Sequence, residues 1–300
     1  MTEERKQEIL EIIRNTNRRP AQTGKPLYPE EIMAYPNLCE EIESISRTVD
    51  GFSYRMDILR AKNRGENCPL FINIHGGGFI GPHRENDTYF SAYMADQIHG
   101  ITVDLDYTLS DAAPYPVALH QCMDALDYVA EHANTWGASA KDISVGGYSA
   151  GGALTAAMGI CCAERGGFVP KLQILCYPPL EYRIPDQYKI DAYDRQIGME
   201  RCKAFADLYF DDKKENFEDI HNSPLYAPRE ILAKQPKTLI LSAGLCNFRY
   251  EDEDYAICPM PPGAEVILKR FPEASHGFIP HFMDGWKEAA DLMVREILEK

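Results

Sequence analysis

The sequence predicts an α/β fold, a mostly parallel sheet of eight strands with helices on both faces. Three observations carry this. Short apolar or β-branched runs alternate with longer stretches of helical periodicity from about residue 44 to the C-terminus, the pattern of strand–helix–strand units. Two glycine clusters, His75-Gly76-Gly77-Gly78 and Gly146-Gly147-Tyr148-Ser149-Ala150-Gly151-Gly152, each follow such a run directly. Both clusters and His276 fall at the carboxyl ends of expected strands, where open parallel sheets bind their ligands.

Composition bounds the reading. Three hundred residues suit one α/β core with a small elaboration, long enough to bury a large core without cross-links. A formal charge of −15 argues against nucleic acid or an anionic membrane surface as a main partner, and would mildly disfavour anionic substrates. Nine cysteines, an odd number without a Cys-x-x-Cys pair, point to a reducing compartment and to thiols buried as small apolar groups, Cys161 and Cys162 among them. The opening Met-Thr-Glu-Glu-Arg-Lys has no apolar signal core, and no apolar run reaches the length of a membrane span. A cytoplasmic location is expected.

The elements follow in order. Residues 2–19 form an amphipathic helix, with Ile9, Leu10 and Ile13 at helical spacing and Pro20 as its stop. Residues 20–44 are mostly loop with a short helix. Ser44–Val49 and Ser53–Ala61 are strands of a hairpin turned by Asp50-Gly51. Strands are expected at 69–74, 101–106, 143–147, 172–177, 238–242 and 265–271. Helices are expected at Asp87–His99, at Val117–Asn134 with its stripe of Leu119, Cys122, Leu126 and Val129, and at Asp284–Glu299. Between Glu181 and Asn222 the alternation breaks. Tyr182, Tyr188, Tyr193, Phe205, Tyr209, Phe210 and Phe217 sit among charges, with Met199–Leu208 the clearest helix. That density of aromatics suits a cap lining an apolar pocket.

Chemistry concentrates at three places. Gly147-Tyr148-Ser149-Ala150-Gly151 is Gly-x-Ser-x-Gly between a β-branched run and an Ala-rich one. A strand–turn–helix of this kind holds the serine hydroxyl above the sheet at a helix N-terminus. The glycines after His75 supply bare backbone N–H groups at another strand end, as an oxyanion site needs. His276 follows the last strand, so serine precedes histidine along the chain.

With Asp106-Tyr107-Thr108-Leu109, Tyr115-Pro116-Val117-Ala118-Leu119, Ser223-Pro224-Leu225 and Ser242-Ala243-Gly244-Leu245 added, the chain resembles the α/β-hydrolase superfamily, and within it the hormone-sensitive-lipase-like esterases. These are marked by His-Gly-Gly-Gly and Gly-x-Ser-Ala-Gly-Gly. The resemblance runs from about Ile45 to the C-terminus. It implies the α/β-hydrolase fold, with an N-terminal cap segment (1–44), a core in two parts (45–180 and 223–300) and a helical cap insertion (181–222). It also implies Ser149 as nucleophile, His276 as general base, and the N–H groups of Gly77, Gly78 and Ala150 as the oxyanion hole, with no metal or cofactor.

The third triad member is the departure. In the resembled family an aspartate follows Ala-Gly-x, and here that position is Cys246. Four arrangements remain open: Glu251 or Asp252 from the acidic run Glu251–Asp254, itself also readable as a solvated helix start; Glu181 at the neighbouring strand end; a Ser–His pair without an acid; or Cys246 on the His276 ring itself. Glu251 is the acid named first. The expected activity is hydrolysis of short-chain, aryl or sugar-acetyl esters through an acyl-enzyme, with a homodimer a possible assembly. The alternative is a weakened hydrolase-fold protein that only binds a small molecule. A peptidase or amidase would use the same groups.

Overall fold

A computed structural model describes residues 1–16, 27–184, 197–257 and 261–299. Pro20, Tyr188 and Tyr193 lie outside these residues, as do parts of 20–44 and of 181–222.

The strands are β1 (Glu43–Val49), β2 (Phe52–Arg60), β3 (Cys68–Ile74), β4 (Ile101–Asp106), β5 (Ala138–Tyr148), β6 (Leu172–Cys176), β7 (Lys237–Ala243) and β8 (Val266–Phe271). They form one sheet in the order β1-β2-β4-β3-β5-β6-β7-β8. β1 and β2 pair antiparallel, as do β2 and β4, and every later pairing is parallel. The β1–β2 turn closes with Val49 opposite Phe52. Asp50 and Gly51 both take positive φ (52° and 83°), as a tight two-residue hairpin requires.

The helices are α1 (Glu3–Asn15), α2 (Glu30–Met33), α3 (Glu85–Gln97), α4 (Val117–His132), α5 (Ala150–Arg165), α6 (Met199–Tyr209), α7 (Lys214–Glu218), α8 (Arg229–Leu232), α9 (Arg249–Ile257) and α10 (Trp286–Leu298). Strand periodicity decides which face each apolar side chain meets. Ile174, Leu239 and Leu241 point to the face covered by α3 and α10, against Phe90, Met94, Met293 and Ile297. Leu175 and Ile240 point the other way, to Ile160 of α5 and Tyr255 of α9. β3 and β4 also bury both faces, which explains their unbroken apolar runs. Among the described residues no helix is long and apolar enough to cross a membrane.

α1 packs on α6: Ile9 and Ile13 meet Ala204 and Leu208, with Ile80 and Phe205 at the border. Thr2 caps α1 by accepting from the Arg5 N–H at 3.2 Å. α1 ends at Asn15 with Thr16 as its C-cap, and residues 17–19 of the expected helix lie outside the described residues.

Two expectations are corrected here. α9 begins at Arg249, just before the acidic run, but Glu251 and Asp252 are buried, not solvated. And not all aromatics of the insertion line a pocket. Tyr209 and Phe210 are fully sequestered in the main core and Phe217 packs against it, while Tyr182 and Phe205 face the cleft.

Candidate active site

β5 ends at Tyr148 and α5 begins at Ala150, leaving one residue, Ser149, to make the turn. Its backbone takes φ 57° and ψ −123°, a strained region for any residue with a side chain. The surroundings hold it there: the Ser149 N–H donates to the Cys176 carbonyl at 2.9 Å. The turn also needs room. A Cβ on Gly151 would stand 2.1 Å from the Ile74 carbonyl oxygen and 2.5 Å from that of His75, so only glycine lets α5 start against the end of β3.

The segment after β3 wraps over this turn. The buried His75 ring stacks on Tyr107 with centroids 4.3 Å apart, and the Tyr107 hydroxyl donates to the His75 carbonyl at 3.2 Å. The Phe79 carbonyl accepts from both the N–H and the hydroxyl of Ser110, each at 2.9 Å. The Gly77 carbonyl accepts from Gly81 N–H at 2.8 Å. Gly77 and Gly78 take φ of 122° and 62°. Among the described residues the N–H groups of Gly77, Gly78 and Ala150 have no acceptor, and all three residues line the cleft. Such groups can stabilise a developing oxyanion.

His276 Nε2 lies 2.8 Å from Ser149 Oγ, hydrogen-bond distance for a hydroxyl and its base. The other ring nitrogen, Nδ1, lies 3.0 Å from Cys246 Sγ. That sulfur also accepts the Phe248 N–H at 3.3 Å. Cys246 therefore stands where a carboxylate would accept both bonds. It is a thiol, because burial and then the charge of Asp252 push its pKa well up. Burial, followed by His281, lowers the His276 pKa to about 3. A neutral thiol can accept from Nδ1–H or donate to a bare Nδ1, and the second orientation puts the proton on Nε2, facing Ser149.

The carboxylates proposed from sequence go elsewhere. Glu251 Oε2 accepts the N–H groups of Leu180 and Glu181 at 2.8 and 3.0 Å. It thus fastens the chain after β6 to α9 and leaves the Nδ1 position to Cys246. Glu181 Oε1 accepts from Ile184 N–H at 2.8 Å. Asp252 is fully buried, which raises its pKa well above the carboxylate range. Position 246 itself is the sequence signal that mattered.

A second polar cluster, absent from the sequence reading, lies behind the glycine segment. His83 Nε2 is 2.7 Å from Asp104 Oδ2. Burial opposes the charged ring, but Asp104 outweighs it and holds the His83 pKa up at about 9. Asn73 Nδ2 donates to Asp104 Oδ1 at 3.1 Å. The Tyr148 hydroxyl donates to Asp87 at 2.7 Å, whose pKa burial and then Asp104 push up to about 7. These side chains come from β3, β4, β5, α3 and the loop between β3 and α3 that carries His83, so no local pattern marks them. Among the described residues no three or more His, Cys, Asp or Glu side chains group as metal ligands.

Above Ser149 the structure encloses a cleft of about 700 Å³. Its floor is Ser149, His276 and the glycine segment, and its roof comes from α1 and α6.

A family model described as the alpha/beta hydrolase fold matches residues 71–280. The chain belongs to the α/β-hydrolase family. The chain is 28% identical over 217 residues to the esterase LipI of Mycobacterium tuberculosis, a match covering 71% of the chain and 66% of LipI. The chain thus spans just under two thirds of that relative. A stretch of 120 residues is 29% identical to bovine hormone-sensitive lipase, 40% of this hydrolase and 16% of the lipase, in keeping with its hormone-sensitive-lipase-like motifs. The fold is also that of an esterase from Pyrobaculum calidifontis, with TM-score 0.78 at 24% identity over 98% of this chain and 92% of the other.

Proposed function

We propose that this hydrolase cleaves carboxylic esters through an acyl-enzyme on Ser149, slowly, because Cys246 replaces the triad acid. The observation that carries the reading is the 2.8 Å contact of His276 Nε2 with the hydroxyl of a strained, cleft-facing serine. Ser149 Oγ attacks the acyl carbon while His276 Nε2 takes its proton. The N–H groups of Gly77, Gly78 and Ala150 receive the oxyanion. His276 returns the proton to the leaving alcohol, then activates the water that frees the acid. The esterase names of relatives with this fold support esters over amides, and the cleft volume suits a small acyl or aryl group. Segments 1–44 and 181–222 act together as the cap, as the packing of α1 on α6 supports.

The test is a burst of p-nitrophenol from p-nitrophenyl acetate and butyrate, with Ser149→Ala as control. One equivalent of rapid release, lost in Ser149→Ala, is expected. No release above background, together with tight binding of a small ester, would instead make the chain a binding protein on the hydrolase fold.

A further inference from the structure

Among the described residues the lining of the cleft is basic, in a chain of formal charge −15. Arg14 from the end of α1, Arg84 just before α3 and Arg201 from the first turn of α6 all line it. Among the described residues Asp87 is the one carboxyl in that lining. It is 5% exposed and turned to the Tyr148 hydroxyl and the Arg84 N–H.

Elsewhere arginines are tied to acids, as in Arg47–Asp124, Arg60–Glu43, Arg64–Glu40, Arg165–Asp127 and Arg270–Glu253. Arg84 departs from this habit. It is half-buried in the cleft wall, and its guanidinium meets no carboxylate among the described residues. Arg14, more exposed, also makes no ion pair there. Arg201 is placed by its own contacts. Its Nη1 donates to the Ile13 carbonyl at 2.9 Å, and its guanidinium lies 4.9 Å from the centre of the Phe205 ring. A Cβ on Gly78 would meet that same ring at 2.4 Å, so this cation sits about one ring's breadth from the glycine segment. Arg84, a partly desolvated, forked cation that meets no acid among the described residues, is suited to a carboxylate brought by a ligand, and low-dielectric cleft walls strengthen the attraction.

We propose that the esters taken by this cleft carry a free carboxylate a few bonds from the scissile carbonyl, held by Arg84 with Arg14 and Arg201 around it. Half-esters of short dicarboxylic acids are the simplest members of that class. The inference rests on the ester-hydrolase reading and reverses the expectation, drawn from net charge, that anionic substrates are disfavoured. Net charge averages over the whole surface, whereas selection occurs in the cleft.

The experiment compares the p-nitrophenyl half-ester of glutaric acid with p-nitrophenyl valerate, a neutral ester of similar length, each corrected for its uncatalysed rate. The half-ester is expected to show kcat/KM at least about tenfold higher at low salt, the scale of one charged hydrogen-bonded contact, with the advantage shrinking as salt is added. Arg84→Gln should cut the ratio by about tenfold, mainly through KM, and Arg84→Lys should recover part of it. A preference for valerate, or a ratio unmoved by Arg84→Gln and by salt, overturns the proposal while leaving the hydrolase reading intact. If neither ester turns over, calorimetry on Ser149→Ala with monomethyl glutarate and methyl valerate decides. Binding of the carboxylate alone, weakened in the Arg84→Gln double variant, upholds the proposal, and equal or absent binding overturns it.

Discussion

A thiol at position 246 gives the His276 ring a partner that can face it in two directions. An aspartate there could only accept, fixing the proton on Nδ1 and leaving Nε2 free to take one from Ser149. Cys246→Asp should therefore raise kcat on p-nitrophenyl butyrate by about 10²-fold or more, within the roughly 10⁴-fold associated with that acid in other triads. It should also move the acid limb of kcat/KM upward. In the wild type that limb lies well below the ordinary histidine value, since burial lowers the His276 pKa to about 3; a carboxylate favours the imidazolium and raises it. No gain in kcat and an unmoved limb would show that another group already orients the ring. His83 gives the opposite sign in stability. Its pKa is raised to about 9 beside Asp104, so its contribution is full below the unfolded value near 6.5 and is lost as pH rises toward 9. Between pH 7 and 8.5 the wild-type Tm should fall and that of His83→Gln should fall less. Parallel slopes would rule out the His83–Asp104 pair as their source.

At the scale of elements, the β5–α5 turn depends on close backbone approach. Gly151→Ala places a methyl group 2.1 Å from the Ile74 carbonyl, where no rotamer relieves the contact. A loss of about 3 kcal/mol or more in urea denaturation is expected, and a loss under about 1 kcal/mol would mean that β3 yields easily. Glu251 tests the division of labour between β7's loop and α9. Because it accepts two amide protons from the chain after β6, Glu251→Gln should cost about 1–2 kcal/mol of stability and leave kcat within about twofold. A hundredfold loss of kcat at unchanged Tm would make it the triad acid after all. The strands were legible because both-face burial writes unbroken apolar runs, as in β3 and β4, and the nucleophile turn because its geometry demands glycine. The direction of Glu251 was not legible. An acidic run at a helix start has the same sequence whether its carboxylates meet water or the amides of a distant loop.

For the molecule as a whole, sequence order was enough to bring Ser149, His276 and the glycine segment together, since each follows a parallel strand and such strands end on one side of the sheet. What escaped it was assembled from distant segments: the His83–Asp104–Asn73 cluster from two strands and the loop before α3, and the arginines that α1, α6 and that same loop bring to the cleft. The insertion shows the same limit, because aromatic residues look alike in sequence whether they face a ligand or the core. Tyr209 and Phe210 proved to be core. Phe79, directly after the glycine run, stacks on Tyr209 with centroids 3.7 Å apart, while the other end of α6 begins at Met199, which is 40% exposed. α6 is therefore built like a door, hung at Tyr209 and latched at its other end, where Arg201 donates to the Ile13 carbonyl at 2.9 Å. Lifting the hung end would strip an aromatic pair from the core and pull on the segment that carries Gly77 and Gly78, at a cost of several kcal/mol. Swinging the latched end gives up the Arg201 contact but leaves the aromatic pair in place. Substitutions near Met199 and Arg201 can then retune what enters without detuning the catalytic floor, so selectivity and chemistry are free to evolve at opposite ends of one helix.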